Sequence, residues 1–145
     1  MKILPVSVLL SLVVGSQVWA QSPNPGAAPL SNRERVELCK KKRNVPLEPS
    51  ETQPLRVEDN AGKITRPTLI HQAKPRFTGS AGTVVVEAVI DEDGCVRQTR
   101  VVQSATKSMD EAAVRSIEQW VFLPATMDGH PVRVFYNLTV NTRIE

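Results

Sequence analysis

Between Thr83 and Asp91 the chain reads Thr-Val-Val-Val-Glu-Ala-Val-Ile-Asp, with Val84, Val86, Ala88 and Ile90 on one parity and Glu87 and Asp91 on the other. A period of two in a β-branched run predicts a strand with one apolar face. Asp91-Glu92-Asp93-Gly94 follows at once, and Gly94 can take the positive φ that a hairpin turn or its bulge requires. Val96 to Ser104 is then the returning strand. Arg97, Gln98, Arg100 and Gln103 are interleaved there with Val96, Thr99, Val101 and Val102, the pattern of a strand wet on one side or lying at a sheet edge.

The period then changes. Ala113, Ile117 and Trp120 fall at i, i+4 and i+7, with Val114 and Val121 beside them and Glu111, Arg115, Glu118 and Gln119 opposite. This predicts an amphipathic helix in which Trp120 anchors the core. Ser108 and Glu111 have the spacing of a capping box, so the helix is expected to start at Ser108, and Pro124 to stop it. Asp128-Gly129 makes a turn. Pro131 precedes a last strand in which Val132, Val134, Tyr136, Leu138, Val140 and Ile144 alternate with Arg133, Asn137, Thr139, Asn141 and Arg143, Phe135 and Thr142 alone blurring the pattern.

These elements predict an α+β fold. The first two strands are antiparallel neighbours, and the helix returns the chain so that strand three runs in the direction of strand two. Beside strand two it would pair in parallel; beside strand one it gives a three-stranded antiparallel sheet of order 2-1-3 with the helix across one face. The second arrangement is the expected one, and it leaves the outer edge of strand three unpaired.

Upstream the texture is different. Lys2, the apolar run from Ile3 to Val14, and Gly15-Ser16-Gln17 leading to Val18-Trp19-Ala20 have the form of a secretory signal peptide at residues 1–20, cut after Ala20. An uncleaved anchor is the alternative, although the run is short of the roughly 20 apolar residues of a spanning helix. Export to the periplasm follows from either. Residues 21–66 hold six prolines and no sustained apolar period, and read as a Pro-rich, partly basic linker. Within it Asn32 to Arg43 is a candidate short helix, capped by Ser31 or Asn32. The folded domain is expected at residues 67–145.

Composition, 41% hydrophobic and 23% charged, is that of an ordinary globular protein. Residues 21–66 carry nine basic and six acidic groups, residues 67–145 eight and nine, so the domain lacks the positive excess of a nucleic-acid binder. Lys40-Lys41-Lys42-Arg43 reads as a solvated charged stretch. In an oxidising compartment Cys39 and Cys95 are expected to pair, closing a loop of about 57 residues worth about 4 kcal/mol of chain entropy; free thiols or intermolecular pairing are the alternatives. His71 and His130 have no paired ligand spacing, so no metal is expected. Asp91 to Gly94 is no calcium loop, because position 100 is Arg where a bidentate Glu belongs. With no Gly-x-Ser-x-Gly elbow and no Ser-x-x-Lys motif, neither catalysis nor a cofactor is expected.

Several short pieces occur in one order: Gly82-Thr83-Val84-Val85-Val86, Ile90-Asp91, Asp93-Gly94, Val96, Val101 to Ser104, Asp110-Glu111-Ala112-Ala113, Trp120, Phe122-Leu123-Pro124-Ala125 and Gly129-His130-Pro131-Val132. Together they resemble the C-terminal domain of the TonB family. The resemblance implies a domain that captures an extended segment of an envelope protein, such as a TonB-dependent outer-membrane receptor, by adding it as a strand. The edge implied is strand three, with Arg133, Val134, Phe135, Tyr136, Asn137, Leu138, Thr139, Val140 and Asn141. A full transducer of that family also has a membrane anchor that couples to the motor proteins ExbB and ExbD, and a long Pro-rich spacer; the cleavable N-terminus and short linker depart from both. The competing reading is a structural module whose free edges pair with a second copy in a homodimer.

Overall fold

A computed structural model describes residues 29–47, 53–77 and 81–142. The expected signal peptide, residues 1–20, lies outside the described residues, as do Arg143 and Ile144 of the expected last strand. In chain order the elements are α1 (Asn32–Lys42), β1 (Leu55–Arg56), β2 (Ile64–Thr65), β3 (Thr68–His71), β4 (Gly82–Ile90), β5 (Val96–Gln103), α2 (Lys107–Ile117), β6 (Val121–Leu123), β7 (Ala125–Met127), β8 (His130–Val132) and β9 (Val134–Thr142).

The largest sheet has the order β1-β9-β4-β5, so it is four-stranded and not three-stranded as expected. β4 is antiparallel to both β5 and β9, and β1 adds in parallel outside β9. The period of two does its work here. Val84, Val86, Ala88 and Ile90 of β4 and Val134, Leu138 and Val140 of β9 are buried on one face, where Met109, Ala113 and Ile117 of α2 and the adjoining Trp120 complete the core. Two smaller sheets, β2-β7-β8 and β3-β6, account for the remaining strands.

Two expectations about the helix are corrected. α2 begins at Lys107, capped by Thr106, whose hydroxyl accepts the Met109 N–H at 3.4 Å. Asp110 is drawn into the preceding turn, accepting from Ser104 Oγ (2.5 Å) and the Ala105 N–H (3.1 Å), and Glu111 faces Arg115 instead of capping. The helix also ends early, at Ile117, and Val121 to Leu123 form a strand against β3. The reason is burial on two sides. Phe122 enters the main core while its neighbour Val121 packs with Cys39 and Cys95 in a second cluster, and adjacent residues point in opposite directions only in extended chain.

The linker is also more folded than its proline content suggests. Ser31 and Glu34 form a reciprocal capping box for α1, and the helix is fastened to the β4–β5 hairpin by the Cys39–Cys95 disulfide. Val57 and Ile64, isolated apolar residues among polar neighbours, are 5% and 6% exposed and belong to the main core. Each residue pins one stretch of backbone that composition alone would leave extended.

Candidate functional site

The candidate edge is built from β9. Its pairing with β4 runs without irregularity from Ile90↔Val134 to Gly82↔Thr142. The Leu55 N–H donates to the Arg133 carbonyl at 2.9 Å, so the main-chain groups of residue 133 face away from β4. Along a strand that direction repeats every second residue, so Phe135, Asn137, Thr139 and Asn141 also turn N–H and C=O outward, while Val134, Tyr136, Leu138 and Val140 bond to β4. Side chains follow the complementary rule: Val134, Leu138 and Val140 are buried, and Asn137, Thr139 and Asn141 are exposed.

The residues expected at the site therefore divide into three groups. At Val134 and Phe135 the outer edge is not free, because Leu55 and Arg56 of β1 pair with them. This corrects the expectation of an edge open from residue 133, and the reason is Val57, whose burial holds the preceding two residues alongside β9. Leu138 and Val140 lie beyond that pair, and their side chains, like that of Val134, belong to the core. Among the described residues, no strand pairs with the outer edge from Tyr136 to Thr142. There Asn137, Thr139 and Asn141 supply the outward backbone groups; the Asn141 side chain is held by the Thr83 hydroxyl at 2.9 Å.

The face of the sheet away from α2 carries a feature that the sequence reading missed. Glu87, in the middle of β4, accepts from Arg100 of β5 at 2.7 Å and from Arg56 of β1 at 2.9 Å. These two hydrogen bonds, Arg100 first, hold its carboxyl below the usual glutamate range. The Arg56 guanidinium also lies 4.9 Å from the centre of the Phe135 ring. One signal for this stands in the sequence: Glu87 is the one charged residue between Gly82 and Ile90. At the start of the free edge, Tyr136 and Asn137 line a cavity of about 300 Å³ with Val57, Glu58, Ile64 and Arg66.

A second constellation lies at the opposite corner. Asp91, 2% exposed, accepts the Asp93 and Cys95 N–H groups at 3.0 and 2.9 Å and thereby shapes the hairpin. Lys42 of α1 bridges Asp91 and Asp93; burial opposes its charge, but the two carboxylates outweigh that and hold its pKa above the usual lysine value. Arg35 donates to the Asp93 carbonyl and Arg97 to the carbonyls of Lys42 and Val45. These partners all lie within the chain, so the cluster fastens α1 to the hairpin. His71 and His130 are both exposed, on separate strands.

The profile of the Gram-negative bacterial TonB protein C-terminal family matches residues 73–143. Residues 73–143 belong to the TonB C-terminal domain family. The chain is also 30% identical over 90 residues to the protein named TonB of Vibrio cholerae serotype O1, an alignment covering 57% of this chain and 37% of that protein. It thus spans little more than a third of the length of that relative. The TonB domain so delimited begins at Ala73, whose carbonyl accepts from Trp120 Nε1 at 2.9 Å and from Ser116 Oγ at 2.5 Å. It contains β9 and its free edge, whereas α1, Cys39 and β1 lie before it. No helix among the described residues is long and apolar enough to cross a membrane.

Proposed function

We infer that this chain is a periplasmic protein-binding module, not an enzyme, which takes an extended segment of an envelope protein as an added strand on the outer edge of β9. The observation that carries this reading is the unbroken register of β9 with β4, continued beyond β1 by a stretch from Tyr136 to Thr142 that no described strand covers. Membership of a family named for TonB supports a TonB-dependent outer-membrane receptor as the source of that segment.

Magnitudes say what the partner must bring. Asn137, Thr139 and Asn141 offer about six main-chain hydrogen bonds to a fitting strand, each worth about 1 kcal/mol net. Micromolar binding requires about 8 kcal/mol after the cost of association is met. Main-chain bonds alone therefore fall short, and side chains on the incoming strand must be buried as well. The cavity beside Tyr136 and Asn137, lined by Val57 and Ile64 with Glu58 and Arg66, suits one of them.

The test is a titration of isotope-labelled protein with a synthetic peptide copying the periplasmic N-terminal segment of a TonB-dependent receptor. The expected result is slowed amide exchange at Asn137, Thr139 and Asn141 with α2 unperturbed. Perturbation confined to residues outside β9, β1 and the 57–66 turn would overturn the reading.

A further inference from the structure

The first outward-facing groups of β9 are already taken, by residues of the same chain that precede the TonB domain. Leu55 and Arg56 pair in parallel with Val134 and Phe135, with the Leu55 N–H on the Arg133 carbonyl at 2.9 Å. We propose that β1 is a displaceable latch, an internal competitor that a captured strand must evict to use the whole edge. The proposal rests on the reading of β9 as a capture edge and adds how access to it is regulated.

Four observations converge on it. First, the pairing is minimal: β1 is two residues long, and Arg56 is exposed, so little main-chain pairing has to be replaced. A longer incoming strand makes the same bonds at Phe135 and adds those at Asn137, Thr139 and Asn141.

Second, the catch is a side chain that reaches across the open face. Arg56 holds Glu87 at 2.9 Å and lies over Phe135 at 4.9 Å. Glu87 is 8% exposed, and a buried carboxylate stripped of its partner is costly. Here Arg100 holds the other oxygen at 2.7 Å and remains when Arg56 leaves. Release of Arg56 therefore never strands the charge, and the latch opens without disturbing β4.

Third, the hinge is fixed. Val57, the residue after Arg56, is buried in the main core together with Ile64, so opening is confined to residues before 57 and the segment stays close enough to reclose.

Fourth, stacking outside β1 is not an alternative route. Leu55 directs its N–H at β9, so the N–H of the preceding residue would face outward; that residue is Pro54, which has none. Arg56, the other outward-facing residue, has its carbonyl taken by Asn60 Nδ2 at 3.0 Å, so β1 offers an added strand little on its own outer side and replacement of β1 is the favoured route to Phe135.

The experiment compares the full chain with Arg56→Ala, in two readouts. Amide exchange at Phe135, whose N–H faces β1, should accelerate at least about tenfold in Arg56→Ala while Leu138, bonded to β4, is unchanged. The synthetic receptor-segment peptide should bind Arg56→Ala about fivefold more tightly than the unaltered chain, because the competitor's population falls. Peptide binding that is equal in the two proteins overturns the latch and leaves strand capture standing, as does unchanged exchange at Phe135. A peptide that binds neither protein overturns the capture reading itself, and the latch with it.

Discussion

The two outer edges of the main sheet differ in the property that decides whether a strand invites company. β5 meets β4 with register shifts between Val85 and Val86 and again between Val89 and Ile90, leaving Val102 as an extra, half-exposed residue, and its start is tied to the end of α1 by Arg97. β9 meets the same strand β4 with no irregularity over nine residue pairs, and among the described residues a strand covers its outer side at its first two residues alone. Bulges twist an edge and interrupt its row of donors and acceptors, and charges protect what is left; a long regular edge is a template. One sheet therefore carries one guarded edge and one regular edge, the latter being the one proposed above to take a partner strand.

The largest effect should come from reversing the direction of a single proline on β9. Leu138→Pro removes an N–H that bonds to β4 and a buried side chain, and should cost more than about 4 kcal/mol, enough to unfold the domain in a thermal melt. Asn137→Pro, one residue away, removes an outward N–H and should cost only about 1 kcal/mol. Equal losses would mean that the assignment of outward and inward groups along β9 is wrong.

The guarded edge can be loosened without touching the regular one. Reducing the Cys39–Cys95 bond removes a constraint worth up to about 4 kcal/mol in the chain-entropy account, visible as a lower urea midpoint under reductant. α1 should then be released while exchange protection in β4 and β9 persists, because the main core contains neither cysteine.

Gly94→Ala acts at the same corner. Gly94 has φ +87°, and a Cβ there would lie 1.8 Å from the Phe122 carbonyl oxygen, so the hairpin must move. A loss of about 3 kcal/mol in denaturant titration, with peptide binding intact in the folded fraction, is the expected outcome.

How much of this was legible beforehand follows from where the signal resides. The alternation in β4 and β9 and the turn at Gly94 are local patterns of period two and of backbone freedom, and they give the hairpin, the buried faces and the long last strand. The C-terminal boundary of α2 is not local, because Val121 and Trp120 fit a helical period as well as an extended one; only the presence of the main core and of the disulfide cluster on opposite sides decides. β1 could not be read at all. Two residues between Pro54 and Val57 have no period, and their place on β9 depends on Val57 finding the core some 80 positions ahead in the chain. The Arg56–Glu87–Arg100 group was hidden for the same reason, since its three members meet only through the sheet order.

The smallest predicted effect concerns that group. Arg100 and Arg56 depress the Glu87 carboxyl below its ordinary value of 4.5, so the stability it contributes is complete above that pH and is lost as the pH falls through the lower folded value. The stability difference between the unaltered chain and Glu87→Gln should be constant above pH 4.5 and fade below it. A difference that persists undiminished in strong acid would assign the effect to packing.

The most direct measurement sets the two edges against each other with the same substitution. Thr99, opposite Ala88 in the pairing of β5 with β4, turns its N–H outward as Asn137 does on the other side. Both Asn137→Pro and Thr99→Pro should stay folded, and each is titrated with the receptor-segment peptide that binds the unaltered chain. The account predicts that Asn137→Pro loses binding and Thr99→Pro keeps it; binding retained by Asn137→Pro, or lost equally in both, would contradict capture on the β9 edge.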